Sequence, residues 1–134
     1  MYLVDTSAWI LHFSKSSPFD LRDICPPEVR ILCLPVYQEI LQGIRDEAAY
    51  RAIREILDAA DFVEDPLSRA TYVEAAELNR LARRQGITLR SSVDCLIAAC
   101  AIRHDLTVLH RDRDYPLLAR ISNLKQEEIG SGLT

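Results

Sequence analysis

The sequence predicts an α/β fold built on a parallel sheet, and three observations carry that prediction. Short apolar runs of strand length recur at residues 2–4, 31–34, 62–63 and 107–109. Segments with helical periodicity separate them, as crossover connections between parallel strands require. One of those segments, residues 93–102, is apolar almost all round, which marks a helix buried in the middle of a layered structure. Strands that read as unbroken apolar runs, without alternation, belong to sheets covered on both faces.

In chain order, YLV at 2–4 forms the first strand and runs into Asp5. Ser7 is placed to cap a helix carrying Ala8, Trp9, Leu11 and His12. A Ser/Pro-rich connection over 14–18 and a short helix lead to the strand 31–34, after which Pro35 suits the first turn of a helix. Val36, Ile40, Leu41 and Ile44 give that helix its apolar stripe. Residues 47–60 repeat the pattern with Ile53, Ile56 and Leu57. A short strand at 62–63 closes on Asp65 and Pro66, and the long helix that follows ends at Gly86. The buried helix opens at SSVD, TVLH reads as a strand, and RDRDYPLLA reads as a turn into a short helix. One domain over 1–134 is expected, with about 126–134, ending GSGLT, as a frayed tail.

Composition narrows the function classes. With 49% hydrophobic and 27% charged residues the chain is ordinary globular protein, neither disordered nor fibrous. No run approaches the roughly 20 apolar residues of a membrane span, and the N-terminus has no signal-peptide pattern, so a cytoplasmic protein is expected. Cys25, Cys33, Cys95 and Cys100 lack metal-site spacing, as do His12, His104 and His110, and the cysteines are expected to be buried small hydrophobes. The net charge of −4 argues against a nucleic-acid partner, but its distribution does not. Of sixteen basic residues only Lys15 and Lys125 are lysine, and Arg80, Arg83, Arg84 and Arg90 fall in a stretch without an acid. Arginine's planar fork suits phosphate. A solvated helix face with a basic C-terminal end is the plainer account.

The chemistry lies in the carboxylates. Asp5 ends the first strand, Asp112 follows the strand 107–109, Asp114 is two residues on, Glu39 lies in the first turns of the second long helix, and Asp94 lies in the first turn of the buried helix. Each is at an element end where the crevice of a parallel sheet forms. Taken singly, each has a plain role. Asp94 forms S-x-x-D with Ser91, a capping box; Asp5 and Asp112 suit a cap and a turn; Glu39 suits a surface. Taken together they repel one another unless a cation sits among them. Hard divalent ions prefer such oxygen ligands and serve phosphoryl chemistry. Gly43, one turn after Glu39, leaves room there for a strand or phosphate, or is an indifferent helix glycine.

VDTSAW, PVYQEILQGI, SSVDCLIAA and LHRDRDY, in that order, resemble the PIN-domain ribonucleases, and specifically the VapC-type toxins of toxin–antitoxin operons. The resemblance runs from Tyr2 to about Ala119. It implies a Rossmann-like three-layer α/β/α fold with a central parallel sheet of order 3-2-1-4-5. It also implies an endoribonuclease that cleaves RNA phosphodiester bonds with metal-activated water. The family's acidic positions carry over to Asp5, Glu39, Asp94 and Asp112, with Asp5, Asp94, Asp112 and the supplementary Asp114 holding Mg²⁺, for which Mn²⁺ substitutes. Thr6 and Ser7 are expected behind that set, and Arg80, Arg83, Arg84, Arg90, Arg111 and Arg113 against the RNA backbone. A homodimer and a VapB-type antitoxin whose C-terminal segment covers the groove are further implications. Trp9 reads as core, with a place in that groove as the alternative. Tyr115 stands where Phe is common, a difference expected to matter little.

Two other classes compete. A phosphoacceptor receiver domain would need paired acids after the first strand and a lysine near the last; Asp5 has no acidic neighbour and Lys125 is poorly placed. A non-catalytic PIN-fold module that binds RNA or antitoxin is separated only by a test of metal-dependent cleavage.

Overall fold

Leu3 and Val4 have no exposed surface, and the strand that carries them is the middle of the sheet. The structure, a computed structural model, describes residues 1–130. In order the elements are β1 (Tyr2–Val4), α1 (Thr6–Phe13), two single 3-10 turns at Leu21–Asp23 and Pro27–Val29, β2 (Arg30–Leu32), α2 (Leu34–Gly43) and α3 (Glu47–Asp58). There follow β3 (Asp61–Phe62), α4 (Arg69–Arg84), α5 (Ser92–Arg103), β4 (Thr107–His110), α6 (Asp114–Ala119) and β5 (Lys125–Glu128). The five strands are parallel in the order β3-β2-β1-β4-β5, as expected.

Several boundaries differ from expectation for local reasons. The strand expected at 31–34 stops at Leu32, because extended Cys33 is already the N-cap of α2 and Leu34 and Pro35 are its first turn. Ser7 is not the cap of α1. Asp5 is, accepting the Ser7 backbone N–H at 3.0 Å. The tail expected from 126 is instead strand through Glu128, pairing with β4, and Ile129 behind it is buried; residues 131–134 lie outside the described residues. Gly86 ends α4 at φ +73°, the left-handed conformation glycine adopts without penalty.

α5 is the helix on which the core closes. Ile97, Ala98, Ala99, Cys100 and Ala101 have no exposed surface, and its small side chains let it lie close to α4 and to the sheet. All four cysteines are buried free thiols, as expected. Trp9 is core, 1% exposed, with the Arg30 guanidinium 5.3 Å from its ring centre, and so forms no groove wall. No helix among the described residues is long and apolar enough to cross a membrane.

The loop into α4 is tied by Glu64, a non-glycine residue at φ +52°. Its carboxylate accepts the Ser68 N–H at 2.8 Å and the Thr71 hydroxyl, and meets His104 Nε2 at 2.7 Å and Arg103 at 3.4 Å. Burial alone would raise its pKa, yet the donors from Thr71, Ser68 and His104 together bring it down to about 2. A lowered carboxylate pKa contributes stability above the unfolded value that is lost as pH falls through the folded one. Glu64→Gln should therefore cost about 1–3 kcal/mol at neutral pH. It should also flatten the loss of stability between about pH 4.5 and about pH 2, as read from urea unfolding across that range.

Candidate active site

From β1 the chain crosses first to β2 on one side and later enters β4 on the other. Crossovers that diverge in this way open a crevice beyond the carboxyl ends of the strands. Asp5 stands directly after β1, and Asp112 in the turn after β4. Asp114 opens α6, Asp94 points from the first turn of α5, and Glu39 comes from α2. The fold thus brings all five expected acids to one rim.

Asp5 is buried and fully engaged. One oxygen accepts both the backbone N–H and the hydroxyl of Ser7, and the other accepts the Tyr115 hydroxyl at 2.6 Å. Ser7 in turn accepts the Arg111 backbone N–H at 2.9 Å, tying the end of β1 to the turn after β4. Ser7 thus holds Asp5 through its hydroxyl. Thr6 does the same for Glu39, donating to it at 2.8 Å.

The tightest grouping is Asp94, Asp112 and Asp114, each with a carboxylate oxygen within 4.8 Å of the others. Asp114, expected as a supplement, is fully buried and an equal member. The Asp114 N–H donates to Asp112 Oδ1 at 3.0 Å and the Arg90 N–H to Asp114 Oδ2 at 2.9 Å. Asp94 Oδ2 and Asp114 Oδ1 are buried without a hydrogen-bond partner. The capping box expected of Asp94 and Ser91 is not what forms: Ser91 Oγ accepts the Val93 N–H, and Asp94 turns toward Tyr115 at 3.4 Å. Burial, then the carboxyl of Asp114 and the charges of Asp112 and Asp5, push Asp94 up to about 8. Burial likewise raises Glu39, against its bond from Thr6 and with the charges of Asp5 and Asp112.

These residues fit a hard divalent cation. Two oxygens on one Mg²⁺ at about 2.1 Å lie at most about 4.2 Å apart, so small carboxylate rotations close the triad on an ion. Orphaned buried oxygens are costly unless something positive meets them. The donor set is all oxygen, which excludes a thiolate or imidazole zinc site here.

The arginines divide. Arg80 and Arg83 line a cleft of about 530 Å³ between α4 and α5 with Tyr72, Val93 and Leu96. These last three also line a second cleft of about 400 Å³ that contains Glu39, so the two clefts adjoin and the second reaches that acid. Arg90 and Arg113 flank Asp114, the Arg113 guanidinium 4.0 Å from it, and Arg111 reaches the Gly130 carbonyl at 3.3 Å. Arg84 is exposed and lines neither cleft. Gly43 has no atom near the position of a Cβ, so no close approach requires a glycine there.

Three residues escaped the sequence reading. Tyr115 is fully buried with its hydroxyl among the acids. His110 Nδ1 accepts the Asp112 N–H at 3.0 Å, which leaves Nε2–H to donate to Gln126 Oε1 at 2.7 Å. The edge strand β5 thereby supports the turn that carries Asp112. The available signal was position: His110 and Tyr115 bracket the RDRD turn, one at a strand end and one in a helix's first turn.

The PIN domain family profile matches residues 2–122. Over 132 residues the chain is 38% identical to VapC ribonuclease Mb1587 of Mycobacterium bovis and to ribonuclease VapC11 of Mycobacterium tuberculosis, covering 93% of this chain and 96% of each relative. Among solved structures, VapBC2 of Rickettsia felis bound to a promoter DNA fragment superposes with a TM-score of 0.76 at 17% identity, covering 96% of this chain and 98% of that one. DNA-bound VapBC of Salmonella typhimurium gives 0.75 at 15% identity, covering 95% and 96%. At these identities the likeness is one of fold.

A carboxyl raised to about 8 keeps in the folded protein a proton that the unfolded chain loses near 3.8. Its contribution is full below the unfolded value and lost as pH rises through the folded one. In EDTA the melting temperature should therefore fall between about pH 4 and about pH 8, and Asp94→Asn should flatten that fall without lowering the melt at neutral pH. Melts of both proteins across that range check it.

Proposed function

Because this chain belongs to the PIN-domain family of VapC ribonucleases, we propose that it is the toxin of a toxin–antitoxin pair and an endoribonuclease that depends on a divalent metal. The observation that carries this reading is the pair of orphaned carboxylate oxygens, on Asp94 and Asp114, buried at the switch point of the sheet. Mg²⁺ is the ion proposed, with Mn²⁺ able to replace it, held by Asp94, Asp112 and Asp114 with Asp5 beside them. Such an ion supplies the charge that polarises a phosphodiester and brings water's pKa toward neutrality.

The chain's own residues supply the rest. Asp5 and Asp112 are locked in orientation by Ser7 and by the Asp114 N–H, so the acids need little rearrangement when substrate arrives. Glu39, anchored through one oxygen by Thr6, has a raised pKa and an open flank on the groove, which suits it to take a proton from attacking water. Arg80 and Arg83 on the far stretch of the groove bind the RNA backbone, and Tyr72 between them and Glu39 offers a face for a base. The partner that silences the enzyme is a VapB-type antitoxin, its C-terminal segment laid in the same groove. The active unit is a homodimer in the cytoplasm.

Expression without the antitoxin should arrest growth, and Asp5→Asn should relieve the arrest while the purified variant keeps its fold by circular dichroism. An Asn variant as toxic as wild type would remove Asp5 from the site. In vitro, RNA cleavage should need Mg²⁺ or Mn²⁺, stop in EDTA, and return poorly with Zn²⁺. RNA bound but left intact in every metal would favour a non-catalytic binding module of the same fold.

A further inference from the structure

Among the described hydrogen bonds, the Tyr115 hydroxyl alone reaches two of the site carboxyls: its one proton goes to Asp5 at 2.6 Å, and its oxygen lies 3.4 Å from Asp94. Its ring has no exposed surface and packs 4.8 Å from that of His110, so the hydroxyl cannot swing out to water. Asp5 and Asp94 come from β1 and α5, elements that nothing else in the site joins directly by a side-chain bond. The phenol therefore sits where two carboxylates from different parts of the chain would otherwise face each other across a buried space.

A carboxylate offers about four lone-pair positions. On Asp5, the Ser7 N–H, the Ser7 hydroxyl and the Tyr115 hydroxyl take three of them. Donors of this kind stabilise the anionic form and draw on the same electron density that a cation would use. The bond to Asp5 is therefore strongest when no ion draws on the same oxygens.

Resting on the metal-site reading above, we propose that the Tyr115 hydroxyl is a positioning group that holds Asp5 and Asp94 together while the ion site is empty, at the expense of affinity for the ion. It takes over part of the role of the positive charge until the ion arrives. This separates it from an ordinary buried hydrogen bond, which contributes equally with and without metal.

Tyr115→Phe keeps the ring and removes only the donor. The wild-type and variant proteins would be melted in EDTA and in saturating Mn²⁺, and Mn²⁺ binding measured from the electron paramagnetic resonance signal of the free ion. The proposal expects the variant to melt lower in EDTA, to regain most of that loss in Mn²⁺, and to bind Mn²⁺ roughly three- to tenfold more tightly. An equal loss with and without Mn²⁺ and an unchanged affinity would overturn it, as would weaker binding, which would make the hydroxyl a device for ion capture. If the variant is unfolded in EDTA, Mn²⁺ must restore its far-ultraviolet circular dichroism; a chain that stays unfolded in saturating Mn²⁺ overturns the proposal. A wild-type protein that neither binds Mn²⁺ nor melts higher in it would refute the metal-site reading itself, and this proposal with it.

Discussion

Asp5, Asp94 and Asp114 are buried together at the rim of a parallel sheet with no basic side chain among them to neutralise their charge. The nearest cation, the Arg113 guanidinium, lies 4.0 Å from Asp114 and is itself largely exposed. Burial of a charge without a partner is among the most costly arrangements a fold can hold. In the metal-free protein the cost is met in three ways: Asp94 is pushed toward its neutral form, Asp5 accepts three hydrogen bonds, and Asp112 and Asp114 each accept one backbone amide, from Asp114 and Arg90 respectively. Asp94 Oδ2 and Asp114 Oδ1 remain without a hydrogen bond, the latter 4.0 Å from Arg113 Nε.

Much of the surrounding structure serves to keep those acids where they are. Ser7 links the first strand to the turn after the fourth, bonding Asp5 on one side and the amide of Arg111, the residue before Asp112, on the other. The edge strand β5 does its work through Gln126 and His110, whose ring fixes the backbone of Asp112. α5 places Asp94 at its first turn and then runs as the most buried helix of the molecule, so Asp94 cannot drift outward without disturbing the core. The stability of the fold and the position of the site are therefore one problem, and substitutions in β5 or α6 are expected to be felt at the acids.

What the sequence disclosed follows from which forces act locally. β1 and β4 were legible because strands buried on both faces must be apolar, and α5 because its apolar residues encircle it. β5 was not, since KQEE is a polar edge strand held by its backbone pairing to β4, and it reads like solvated tail. The end of β2 is not legible in the sequence because Leu34 fits a strand and a first helical turn equally well. The acids could be found from their places at element ends, but how they divide could not: Asp94 competes locally for a helix cap and is won over by Tyr115, a contact made only in three dimensions. Tyr115 itself looks like a conservative exchange for Phe until its hydroxyl is seen against Asp5, 110 residues away in the chain.

One ion is proposed to sit among Asp94, Asp112 and Asp114, taking up the unbonded Asp94 Oδ2 and Asp114 Oδ1. Crystals soaked in Mn²⁺ and measured for anomalous scattering test it most directly. A peak is expected about 2.0–2.4 Å from both of those oxygens and from one of Asp112. A peak bound elsewhere on the chain, or none at saturating Mn²⁺ with the two oxygens instead bonded to each other through a shared proton, would contradict it.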